Sequence, residues 1–103
     1  MRETEWAKVL APKYQADVEV PVWDGTRCDL LNDDFAIEID WAHKWAEAIG
    51  QALYYAIALD RRPAVLLLMK NGYKDRKYAH RAQAVCAKLD IKLYLEDARD
   101  GKV

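Results

Sequence analysis

The run Ala64-Val65-Leu66-Leu67-Leu68-Met69 contains no polar side chain. A strand built from it has no face to offer water, so it must lie inside a sheet with cover on both sides. Helices supply such cover most simply, which sets the fold class as α/β. The rest of the chain provides them. Glu3 to Ala11 reads as a short helix with Trp6, Val9 and Leu10 inward, ended by Pro12, which has no N–H to continue it. Val18, Val20 and Val22 alternate as a strand, and Asp24-Gly25 within Trp23-Asp24-Gly25-Thr26 suits the positive φ values of a tight hairpin turn. Two further strands flank a turn at Asn32 to Asp34. A helix from Trp41 to about Asp60 carries Trp45, Ile49, Leu53 and Ile57 at four-residue spacing, and a helix from about Asp75 to Leu89 turns Tyr78, Ala82, Val85 and Leu89 inward. Ile91 to Leu95 forms the last strand, before a loose tail from Glu96 to Val103. The predicted order is α-β-β-β-α-β-α-β, a mixed central sheet flanked by helices in a single domain covering residues 1–103.

The second and third strands are unusual in their acids. With Asn32 to Asp34 as the turn, Asp29 falls opposite Glu38 and Arg27 opposite Asp40. Alternation puts Arg27, Asp29 and Leu31 on one face with Ala36, Glu38 and Asp40, while Ile37 and Ile39 point the other way. Facing carboxylates repel, and oxygen-only ligands suit a hard divalent cation such as Mg2+ or Mn2+. The plainer reading of the same residues is a solvated sheet face with an Arg27 to Asp40 ion pair. Asp40, directly before Trp41, equally suits the N-cap of the long helix. On that helix Lys44, Gln51 and Tyr55 fall within one narrow stripe, which would bring a cation, an amide and a phenol toward the carboxylates.

At these positions the chain resembles the PD-(D/E)XK nuclease superfamily, specifically its RecB-like and Holliday-junction-resolvase-like members. The matching residues are an isolated Asp29 on one strand, Glu38-Ile39-Asp40 on the next, and Gln51-Ala52-Leu53-Tyr54-Tyr55 on the following helix. Through the order of its elements the resemblance covers nearly the whole chain and implies a restriction-endonuclease-like core. It further implies that Asp29 and Glu38, helped by Asp40, hold Mg2+ or Mn2+. Asp40 stands where the family usually has Lys, and Lys44 is the nearest replacement. Gln51 and Tyr55 would support the site or contact DNA, and Glu3 or Glu5 would match the acid of the family's first helix. The implied function is metal-dependent hydrolysis of phosphodiester bonds, with Asp29, Glu38, Asp40, Lys44 and Gln51 catalytic. A homodimer follows from that reading, since one small site cuts one strand at a time. The alternative is a nuclease-fold module that binds nucleic acid or serves assembly, having lost the chemistry along with the tripeptide Lys.

Charge points to nucleic acid by a separate route. The net charge is -1, yet residues 1–60 carry -7 and residues 61–103 carry +6. The basic residues gather in and after the loop that follows the apolar run, where Lys70, Lys74, Lys77 and Arg81 would follow a phosphate backbone, with Tyr73 nearby and Tyr55 contributed from the long helix. An ordinary solvated helix face has the same composition. Other chemistries are excluded more firmly. The chain contains no serine, so a serine nucleophile is ruled out, and neither His43 nor His80 has triad partners in view. Cys28 and Cys86 read as small buried thiols rather than a zinc site. No segment approaches the roughly 20 apolar residues of a membrane helix and no apolar signal core is visible, which predicts a cytoplasmic protein without membrane partners.

Overall fold

The computed structural model describes residues 1–99. Its elements are α1 (Glu3–Tyr14), β1 (Asp17–Pro21), β2 (Arg27–Leu31), β3 (Phe35–Trp41), α2 (Trp45–Leu59), β4 (Arg62–Met69), α3 (Arg76–Leu89) and β5 (Lys92–Asp97), with 3-10 turns at Ala42–Lys44 and Gly72–Asp75. The five strands form one mixed sheet in the order β1-β2-β3-β4-β5. β1, β2 and β3 are mutually antiparallel, whereas β4 runs parallel to β3 and β5 parallel to β4.

The apolar run is the spine of this sheet. Ala64, Leu66 and Leu68 pack with Ala7, Leu10 and Ala11 of α1 on one face, together with Leu30, Ile37 and Ile39. Val65 and Leu67 pack on the other face with Ala48, Ile49 and Ala52 of α2 and Ala82 and Cys86 of α3. All five central residues, Ala64 to Leu68, are fully buried. Parallel neighbours require crossovers, and α2 and α3 are those crossovers, so both lie on the same face as their strands twist.

Several helix boundaries and faces differ from the sequence reading. Pro12 lies inside α1, which continues to Tyr14 and ends where Gln15 turns left-handed at φ 51. The proline gives up one i→i−4 hydrogen bond there, and burial of Leu10 and Ala11 holds the last turn in place against that loss. Val9 is exposed rather than inward. On α2, a four-residue spacing drifts by about 40° per step in a helix of 3.6 residues per turn. The stripe that begins at Trp45 therefore leaves the core before Ile57, which is 82% exposed, and the face that packs is the alanine-rich one of Ala48, Ala52 and Ala56. Leu89, the last residue of α3, is likewise exposed, and Ala79 and Cys86 are buried in its place. Glu96 and Asp97 belong to β5 and Ala98 is buried, so the expected tail is part of the fold as far as Arg99. Its remainder, residues 100–103, lies outside the described residues.

Both predicted turns hold their strands by specific bonds. Gly25 takes φ 88, Asp24 accepts from the Thr26 N–H at 2.9 Å, and the Tyr54 hydroxyl of α2 also donates to Asp24, pinning the β1–β2 hairpin to that helix. Asn32 accepts from the N–H groups of Asp34 and Phe35 at 2.9 and 2.7 Å, and its amide donates to the Tyr14 carbonyl at 2.9 Å, which ties the β2–β3 turn to the end of α1. Because β4 is packed on both faces, Leu66→Ala and Leu67→Ala should each cost about 2–5 kcal/mol, a range set by how far each side can collapse. Urea unfolding checks this, and a loss below about 1 kcal/mol at either position would contradict two-sided packing.

Candidate functional site

The acids of β2 and β3 meet, though not as an open metal cradle. Pairing between the two strands runs through Leu31↔Ala36 and Leu30↔Ile37. Beyond that point the side chains replace the ladder. The Ile39 N–H donates to Asp29 Oδ2 at 2.8 Å, and the Asp29 N–H donates to Glu38 Oε1 at 3.3 Å. Each carboxyl thus stands in for a backbone carbonyl where the strands part. Alternation breaks at the same place, since Leu30 packs on the α1 face while Cys28 packs with Ala36, Tyr55 and Ala56 on the other. Across β2 the pairs Val18↔Leu30 and Val20↔Cys28 bracket Glu19, which takes φ 50. A left-handed residue facing a broken alternation is a local distortion that carries across three strands, and the sequence reading had placed regular strands there.

Burial sets the ionisation of this cluster. Glu38 is 4% exposed, and desolvation, with the adjacent Asp29 carboxylate next in weight, pushes its carboxyl up to about 9. Desolvation also raises Asp29, against the hydrogen bond from Ile39 that favours its charge. Both carboxyls are thus raised, which favours a proton on the pair, with Glu38 the more strongly buried of the two. Asp40 is raised to about 6, by burial first and then by Glu3 of α1, while Lys44 acts in the opposite sense. Burial also pushes the Cys28 thiol up to about 12, so it stays protonated.

The residues expected to act together are therefore only partly assembled. Asp29 and Glu38 touch, Lys44 and Glu3 lie close enough to bias Asp40, and no group of three or more metal-ligating side chains converges among the described residues. One oxygen each of Asp29, Glu38 and Asp40 accepts a backbone N–H, so all three carboxyls hold backbone at this end of the strands. Asp40 bonds the N–H of Trp41 at 2.9 Å and caps no helix, since α2 begins only at Trp45. Arg27 is exposed and forms no ion pair with Asp40 among the described residues. The stripe of Lys44, Gln51 and Tyr55 also dissolves. Lys44 sits in the 3-10 turn ahead of α2, which shifts its phase, Gln51 is exposed, and Tyr55 is buried in the core at 8% exposure. Tyr55 therefore has no face to present to a nucleic acid.

The opposite charge collects at the carboxyl end of the parallel strands. Lys70 follows β4 and lies over the Trp41 ring at the end of β3, 5.4 Å from its centroid. Lys74 is exposed in the Gly72–Asp75 turn, and Arg76, Lys77 and Arg81 are exposed on the first two turns of α3. Lys77 and Arg81 both lie over the Tyr78 ring, at 5.1 and 5.7 Å from its centroid. None of the five forms an ion pair among the described residues, where the pairs are Arg2–Glu5, Lys13–Glu96 and Arg99–Asp97. Sequence reading had not assigned Arg76 a role. Its place in the first turn of α3, where a helix dipole disfavours cations, was the available signal.

No family model matches the sequence, and no solved structure matches it. The chain is similar to two proteins of Acanthamoeba polyphaga mimivirus, each named for a KilA-N domain. One is 36% identical over 96 residues, 93% of this chain and 37% of the relative. The other is 30% identical over 88 residues, 85% of this chain and 24% of the relative. The chain thus spans well under half the length of the curated relatives it matches. These names overturn the nuclease expectation. Membership of the PD-(D/E)XK superfamily, the hydrolytic function and the assignment as an enzyme do not hold, because the relatives are KilA-N domain-containing proteins. The motif that suggested them is short, and here its acids bond the backbone at a break in the sheet. The dimer argued from two-strand cutting loses its reason with the chemistry.

The raised Glu38 carboxyl makes a signed prediction. Glu38 is protonated in the folded chain up to about pH 9 but ionises near 4.5 when exposed, so the folded state binds more protons between those values and stability falls as pH rises through them. Glu38→Gln, which keeps one donor and one acceptor, should flatten that decline and raise the melting temperature at pH 9 relative to the parent. Melts at pH 5, 7 and 9 check it. A parent that gains stability over this range would show the pair to be ionised.

Proposed function

We propose that this chain is a non-catalytic DNA-binding module, formed as one domain. One observation carries the reading: Lys70, Lys74, Arg76, Lys77 and Arg81 are exposed within twelve consecutive residues, and no carboxylate pairs with any of them among the described residues. Clustered cations repel, and two of them, Arg76 and Lys77, stand in the first turn of α3, where the N-cap Asp75 is buried and its carboxylate accepts from Asn71. Phosphates relieve both the mutual repulsion and the clash with the dipole, and their binding releases counterions from the DNA. The KilA-N domain that names both mimivirus relatives is a DNA-binding domain, which supports the same reading.

The acid cluster takes no part in this module beyond shaping the sheet. Its acids lie on β2 and β3, whereas the exposed bases gather after β4 and on α3, which is the part of the chain suited to a polyanion. Neutralising Lys74, Lys77 and Arg81 together as Gln should weaken duplex binding irrespective of sequence and lower the slope of log K against log salt by roughly 0.9 per lost phosphate contact. Fluorescence anisotropy at several salt concentrations measures both. An unchanged affinity and slope would return this surface to an ordinary solvated helix face.

A further inference from the structure

Beside the basic rim lies a cavity of about 300 Å³ at the carboxyl ends of β4 and β5. Met69 and Leu95 give it apolar walls, Tyr73 stands at its mouth 75% exposed, and the guanidinium groups of Arg76 and Arg99 border it. Glu96 and Asp97 also line it, and both carboxylates are engaged. Asp97 binds Arg99 at 2.8 and 3.1 Å, and Glu96 accepts from Lys13 at 2.7 Å and from the Tyr14 hydroxyl. Arg76 forms no ion pair among the described residues. The loop that presents Tyr73 is built for that position. Gly72 takes φ 59, a left-handed conformation that favours glycine. The exposed Tyr73 ring thus stands with Arg76 over an apolar floor.

We propose that this cavity receives an unstacked nucleobase, with Tyr73 stacking on its face and Arg76 holding the adjoining phosphate, so that the module binds single-stranded DNA in preference to closed duplex. The inference rests on the DNA-binding reading and deepens it by naming the form of DNA. Every base has a π face, so such a site is tolerant of sequence, and a base still paired in a duplex cannot enter it. The volume lies at the lower limit of small-molecule pockets, which suits one planar ring system.

Anisotropy with labelled oligothymidylate and with a blunt duplex of the same length tests this. The parent chain should bind the single strand more tightly, and Tyr73→Ala should weaken that complex roughly tenfold, equivalent to about 1.4 kcal/mol, while leaving duplex affinity unchanged. Tyr73→Phe, which keeps the ring, should bind as the parent does. A parent that binds duplex at least as tightly, or a Tyr73→Ala variant that binds the single strand normally, overturns the base site. The variant lacking Lys74, Lys77 and Arg81 separates the two ideas. If it weakens both DNAs while Tyr73→Ala weakens neither, DNA binding stands and the base site falls; if the parent binds neither DNA, both fall.

Discussion

Burial of β4 on both faces is the constraint from which the remaining architecture follows. Ala64, Leu66 and Leu68 require α1, and Val65 and Leu67 require α2 and α3. Because β4 is flanked by parallel neighbours, the carboxyl ends of β3, β4 and β5 all point the same way. The segments that leave those ends must then gather at one edge of the domain, the usual place for ligands in open α/β sheets. Lys70 over Trp41, Tyr73 and Arg99 meet there for that reason.

The antiparallel half obeys a different economy. Asp29 and Glu38 look, in sequence, like a pair waiting for a cation. In the fold they fill the gap left where the β2–β3 ladder ends, each accepting a backbone N–H, and burial raises both carboxyls, which disfavours two charges on the pair. The same residue types serve hydrolysis in one protein and strand geometry in another, so a carboxylate pair has to be judged by what its oxygens already hold.

Charge segregation follows the same division of the sheet. The acids are concentrated on elements up to α2, and the bases cluster after β4 and along α3, where two occupy a helix start that dipole electrostatics disfavours. Such placement makes the free domain slightly less stable than an optimised surface would be. Its compensation is a surface ready for an anion, with aromatic rings under Lys70, Lys77 and Arg81 to hold their side chains in position.

The class of fold was readable from the chain alone because two-sided burial leaves a local mark, an apolar run without alternation, and because turns such as Asp24-Gly25 and Asn32 to Asp34 depend on neighbours in sequence. The cluster of bases from Lys70 to Arg81 was readable for the same reason, being contiguous. What lay beyond the sequence depended on distant contacts. A 3-10 turn takes Lys44 out of α2, and packing of that helix on its alanine-rich face buries Tyr55 and leaves Gln51 and Ile57 exposed, so the stripe shared by Lys44, Gln51 and Tyr55 does not form. The break at Asp29 decided that the acids bond backbone, and the pairing of β5 with β4 carried Leu95 and Arg99 to Tyr73. Local chemistry determines which elements form, whereas their phase and meeting points are decided only when the core is packed, since a rotation of a third of a turn changes no residue and reassigns every face.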